Sequence, residues 1–126
     1  MLVKKIKNLV AIIGLMAVTA TASALGLRLE ESTPIKYFTK EDWQQAKQVA
    51  KTALEQGKLG ETFDWHNEST GHSGSYKVLR RLEIDGRSCR DLLIIHQAGQ
   101  ANASGDYRFC QMESGAWKTM GKAPSN

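Results

Sequence analysis

The chain has little with which to build a cofactor or metal site. It contains two cysteines, two prolines and three histidines in 126 residues. It has no CxxC pair, no His-x-His and no i, i+4 histidine pair, the spacings by which short segments hold zinc. No G-x-S-x-G marks a hydrolase nucleophile. No internal repeat is present, and beyond the N-terminal segment no apolar run approaches the ~20 residues of a membrane span. Charge is also scarce once that segment is set aside. Three of the 17 basic and none of the 13 acidic residues fall in the first 24, which leaves the remainder at +1. A nucleic-acid footprint built on net charge is therefore excluded.

What is present begins with an export pattern. Lys4, Lys5 and Lys7 precede an apolar stretch from Leu9 to Ala20, and Ala22-Ser23-Ala24 forms an A-x-A box. This three-part order reads as a secretory signal peptide over residues 1–24, and the stretch is short for a membrane anchor. No cysteine stands at or directly after the apolar stretch, so a lipid anchor is not expected. An exported chain meets an oxidising compartment, where two cysteines, Cys89 and Cys110, read as one disulfide rather than a thiol or metal pair.

Residues 25–38 read as an irregular arm broken by Pro34, residues 39–120 as a single domain, and residues 121–126 as a frayed tail. Within the domain, residues 40–56 predict an amphipathic helix. Thr39 is a natural N-cap, and Glu41 and Asp42 sit where the helix dipole favours negative charge. Trp43, Ala46, Ala50, Ala53 and Leu54 recur at helical spacing, and Gly57 and Gly60 end the run.

The remainder reads as strands: a short one at Phe63–Trp65, then residues 75–84, 87–96, 106–113 and 116–120. Tyr76, Val78, Leu82 and Ile84 are expected to face inward, and Asp85-Gly86 signals a hairpin. Residues 97–105 read as a polar loop of small residues. Cys89 and Cys110 test that register, because their midpoint falls between Gly99 and Gln100. Closing a loop of about 22 residues should stabilise the fold by roughly 3 kcal/mol. The expected fold is α+β, with one N-terminal helix on a four- to five-stranded antiparallel sheet held by one disulfide.

Three local patterns follow the helix. They are W-x-N-x-x-T-G-x-x-G at Trp65, Asn67, Thr70, Gly71 and Gly74; C-R-D at Cys89, Arg90 and Asp91; and C-x4-G-x-W at Cys110, Gly115 and Trp117. In this order they resemble the C-terminal domain of the rickettsial-type seventeen-kilodalton outer-membrane surface antigens, over roughly residues 40–120. Outer-membrane members of that family carry a lipobox cysteine and a glycine-rich zipper ahead of the domain, and neither pattern is found here. The resemblance implies a periplasmic, secreted or outer-membrane-associated envelope protein without enzymatic activity. It carries over structural residues only: the cysteines, the tryptophans and the turn glycines.

Individual residues offer competing readings. Asp64, His66 and His72 suggest a metal, or a hydrolase with Ser69, Ser73 or Ser75, but nothing in the spacing fixes three ligands. Asn67, Thr70, Gly71 and Gly74 are turn chemistry. His66 and His72 are not needed for a turn and stay unexplained. Arg80 and Arg81 must face opposite sides of a strand, and Arg90 or Arg108 is expected to pair with Asp91 or Asp106. The expectation is a non-enzymatic envelope module with no cofactor and no metal, contacting an envelope protein or cell-wall component. The alternative is a small periplasmic enzyme or enzyme inhibitor using the His66/His72 loop.

Overall fold

The computed structural model describes residues 33–125; the predicted signal peptide and residues 25–32 of the arm lie outside them. A short 3-10 turn, Pro34–Tyr37, leads into one helix, α1, Lys40–Gln56. Five strands follow: β1 Thr62–His66, β2 Ser73–Ile84, β3 Arg87–Ala98, β4 Ala101–Gln111 and β5 Trp117–Lys122. They form one antiparallel sheet in chain order. The expected α+β fold is thus present, with five strands and the Cys89–Cys110 disulfide. Among the described residues, no helix is long and apolar enough to cross a membrane.

Helix α1 starts where the sequence says it should. Thr39 Oγ1 accepts the Asp42 N–H at 3.1 Å, and Asp42 Oδ2 accepts the Thr39 N–H at 2.8 Å. This is a reciprocal capping box with Asp in the place usually held by Glu. The helix buries Asp42, Ala46, Ala53 and Leu54 and packs on β1 and β2. It therefore lies over one half of the sheet, while the 3-10 turn packs on β3 and β4. Ala46 and Ala53 let the helix approach closely over Trp65, Tyr76, Val78 and Leu92, the centre of the core.

Two features of the sheet differ from the sequence expectation. Residues 97–105 are not a loop. The β3–β4 ladder continues to Ala98↔Ala101, and only Gly99 and Gln100 turn the chain, with Gly99 at φ 62. A primed two-residue turn requires that conformation. Ala101, Ala103 and Gly105 share the helix-side face beyond the end of the helix; Ala103 is exposed there, and a Cβ at Gly105 would meet the Tyr107 ring. The predicted hairpin midpoint between Gly99 and Gln100 stands. The second difference is a bulge. Val78 pairs with Leu92 and Arg80 with Asp91, so Leu79 is an extra residue in β2. A bulge shifts the alternation. Tyr76 and Val78 face the helix as expected, but Leu82 and Ile84 fall on the opposite face, in line with Cys89 and Asp91.

The bulge places Arg80 on the sheet face away from the helix, directly across from Asp91. Asp91 is fully buried and receives Arg108 Nε at 2.8 Å, Arg108 Nη2 at 3.0 Å and Arg80 Nη1 at 3.1 Å. The Arg108 fork is bidentate, the strong geometry for a carboxylate. Arg108 first, and Arg80 after it, hold the Asp91 carboxyl below its usual 3.8 despite burial. Two residues along, on the same face, Cys89 and Cys110 are direct cross-strand partners with Cα atoms 4.1 Å apart. The ladder β2–β3–β4 is thus tied by a covalent bond and an ion triad in adjacent rows. The C-terminal end is also more ordered than expected: β5 runs to Lys122, and the Ala123 N–H donates to Asp106 O at 2.9 Å.

Breaking one partner of a buried ion pair is costly because it strands the other charge. Arg108→Ala should destabilise the fold by about 3 kcal/mol, read as a drop in the urea midpoint with unchanged slope. Reduction of the disulfide should cost roughly as much.

Candidate functional site

Three polar residues of the 64–76 stretch, Asn67, Thr70 and His72, converge on one buried carboxylate. Asp42 is 0% exposed, at the third position of α1. Its Oδ1 accepts Asn67 Nδ2–H and the Thr70 hydroxyl, both at 2.8 Å. Its Oδ2 accepts the Thr39 N–H and lies 2.8 Å from His72 Nδ1. Four donors from two segments surround the carboxylate. Burial alone would push the Asp42 carboxyl up; the Thr39 N–H, His72, Thr70 and Asn67 outweigh it and hold the group far below its usual 3.8.

The loop delivers these donors because its own backbone is closed on itself. The Asn67 N–H donates to His72 O at 2.9 Å, and the Gly71 N–H donates to Asn67 O at 2.7 Å. Asn67 Oδ1 accepts the Ser69 N–H at 3.0 Å, and Thr70 Oγ1 accepts the His72 N–H at 3.1 Å. Asn67 and Thr70 therefore do the turn chemistry expected of them and also bind the helix. Gly71, at φ 76, is a genuine left-handed turn residue. Gly74 is not: it lies in β2 opposite Trp65, and a Cβ there would collide with Trp65 Nε1. Its role is close approach under the indole.

Aromatic rings pack beside this hub. Phe38, placed by its sequence position in the arm, sits between Trp43 and Trp65 at centroid distances of 5.3 and 5.2 Å. It also stacks on His72 at 5.8 Å and meets His96 edge-on at 5.2 Å. Trp65 and Trp43 thus meet through Phe38. Burial depresses His96 below its usual 6.5, and its Nδ1 has no hydrogen-bond partner. Burial pushes the Tyr76 hydroxyl up to about 12, which the nearby Trp65 indole, out of hydrogen-bond geometry, only partly offsets.

The two histidines that sequence reasoning left unexplained separate cleanly. His72 is a buttress of the hub. His66 follows buried Trp65 in β1 and therefore faces the other side of the sheet with Asp64. There it borders a shallow depression with Ser73, Ser75 and Gln97. Asp64, His66 and His72 do not meet. Among the described residues, no group of three or more His, Cys, Asp or Glu is placed to hold a metal. Nor does any serine hydroxyl bond to His72; Ser73 Oγ donates instead to Gln97 Oε1 at 3.1 Å. Asp42 and His72 do have the carboxylate–imidazole geometry that orients a general base, and His72 borders a shallow groove with Tyr37 and the Gly99–Gln100 turn.

The second and third motifs converge elsewhere. Cys89 bonds to Cys110, and the Arg90 guanidinium carbon lies 5.6 Å from the Trp117 ring centroid. Gly115, at φ 90, makes the turn that brings Trp117 there, with its N–H donating to Met112 O at 2.9 Å. Sequence reasoning missed Asp42 as the centre of the first site. Its place in the first helical turn was already explained by the dipole, and its loop partners lie 25 to 30 residues away. Comparison with protein-family models, with curated proteins and with solved structures finds no match.

Both buried carboxylates titrate lower in the folded chain than in the unfolded one. Their stabilisation is complete above the unfolded value, near 4, and is lost as pH falls through the depressed folded values. Stability should therefore begin to decline below about 6.5, as the unfolded chain's His96 takes up a proton that the buried ring resists, and fall more steeply below about 4 as the carboxylates protonate, measured by urea unfolding across pH. Asp42→Ala should weaken the fold by about 3 kcal/mol, since it strands the Asn67 and Thr70 donors, and His72→Ala by about 1–2 kcal/mol.

Proposed function

We propose that this chain is an exported, non-enzymatic protein of the bacterial envelope, a disulfide-closed structural or interaction module working in the periplasm. The observation that carries this reading is the occupancy of Asp42. Of the residues that look catalytic in sequence, His72 is engaged with Asp42, beside Asn67 and Thr70, in holding the 66–72 loop to α1, while Asp64 and His66 lie on the other face of the sheet. A carboxylate with four donors and a strongly depressed pKa is a poor proton acceptor near neutral pH. The Cys89–Cys110 bond fits an oxidising compartment, and the tripartite N-terminus supplies the route to it. The three motif patterns add the surface-antigen type as the family this reading favours. Partner contact falls to the face away from the helix, with Asp64, His66 and the exposed Ile95, and to the outward residues Glu68 and Ser69 of the loop.

One observation favours the second reading, a small periplasmic enzyme or inhibitor: the 2.8 Å contact between His72 Nδ1 and Asp42, beside an open groove. The two readings part in a single set of measurements. Protein isolated from the periplasm should begin at Leu25, gain two hydrogens on reduction, and show no hydrolytic activity or zinc uptake that depends on His66 or His72. Free thiols, an intact N-terminus in the cytoplasm, or an activity abolished by His72→Ala in a folded protein would reverse the assignment.

A further inference from the structure

A cleft of about 590 Å³ runs between the outer flank of α1 and the β4–β5 hairpin, where the helix does not cover the sheet. That size suits a small organic ligand. Its floor is apolar: Ala50 and Leu54 from the helix, Phe109 from β4 and Trp117 from β5. Its rim is cationic. Lys47 and Lys51 stand one helical turn apart, and only Glu55, a turn further on, opposes them.

Arg90 adds an uncompensated charge beside the floor. Its guanidinium lies over Trp117, its Nη1 donates to the Cys89 carbonyl at 2.8 Å, and its Nε has no acceptor. The Trp117 Nε1 is likewise buried without an acceptor. No carboxylate of the described residues reaches Arg90, whose cross-strand neighbour is Arg81. The opposite face of the same strands shows the contrast, because there Arg80 and Arg108 share the buried Asp91. Buried donors without acceptors are costly to keep dry, and a half-buried cation calls for an anion.

We infer that this cleft binds an anionic amphiphile, with its apolar body on Phe109 and Trp117 and its acidic headgroup drawn by Lys47, Lys51 and Arg90. Charge selects the ligand class, since an acidic group answers the three cations. The apolar floor requires a hydrocarbon or aromatic body as well, which inorganic anions lack. The inference goes beyond the module reading and does not depend on export.

The test titrates the purified, disulfide-intact protein with laurate, dodecyl phosphate and dodecanol below their micelle concentrations. It follows the backbone amides of Ala50 and Phe109 and the Trp117 indole by NMR. Laurate or dodecyl phosphate should bind at one saturable site and shift those resonances, and the stronger of the two identifies the headgroup. Dodecanol should bind at least about tenfold more weakly, the worth of one charge-assisted hydrogen bond. Lys47→Ala/Lys51→Ala, both exposed, and Arg90→Met should each weaken the acid by about tenfold or more, while Lys77→Ala on the other face leaves it unchanged. If Arg90→Met does not fold, the lysine pair decides. Unmoved resonances for both acids, equal affinity for dodecanol, or equal loss from Lys77→Ala would overturn the inference.

Discussion

A buried carboxylate ringed by four donors is the constraint on which the rest of this structure turns. Asp42 has no fixed cation at its side, so its charge is tolerated inside only because the Thr39 N–H, His72, Thr70 and Asn67 replace water. The dependence runs both ways. Asn67 is 1% exposed, and without Asp42 its side-chain amide would be buried with one donor unmet. The same carboxylate caps α1, so helix entry and loop conformation are set by one group. The helix then falls over β1 and β2, and Phe38 wedges its ring between Trp43 and Trp65.

The far face of the sheet solves the same problem differently. Asp91 is also fully buried, yet its partners are permanent cations from the two neighbouring strands. The Leu79 bulge makes this possible by moving Arg80 to that face, and the adjacent disulfide locks the register in which Arg108 meets Asp91. One carboxylate joins the layers and the other joins strands within a layer. Both demand a single register, because a one-residue slip would move Asp91 and its arginines to opposite faces.

How much of this could be read from the sequence follows from how local each cause is. Helix α1, the Asp85-Gly86 hairpin and the cysteine register depend on short-range signals, and the structure has all three. The Arg108–Asp91 pair was legible because cross-strand neighbours follow from that register. The rest depended on tertiary context. Residues 101–105 look like a loop because they are small and polar, yet they are held in β4 by backbone pairing to β3, which composition does not report. The Leu79 bulge leaves no mark in the alternation, since Leu82 and Ile84 fit either phase. In the opening motif, Asn67, Thr70 and Gly71 had a sufficient local explanation as turn residues, which concealed the bonds that Asn67 and Thr70 make to the helix. His72, with no local task, was the residue that pointed to a long-range one.

The functional account rests on the same point: the polar 66–72 loop is a clasp, part of the fold's cooperative unit. Native-state hydrogen exchange measures this most directly. If the clasp holds the fold, the amides of Ser69 and His72, bonded to Asn67 Oδ1 and Thr70 Oγ1, should exchange with an opening free energy close to that of core amides such as Leu92. Exchange of these loop amides at nearly unprotected rates, with the core still protected, would show a loop that opens independently and would contradict the account.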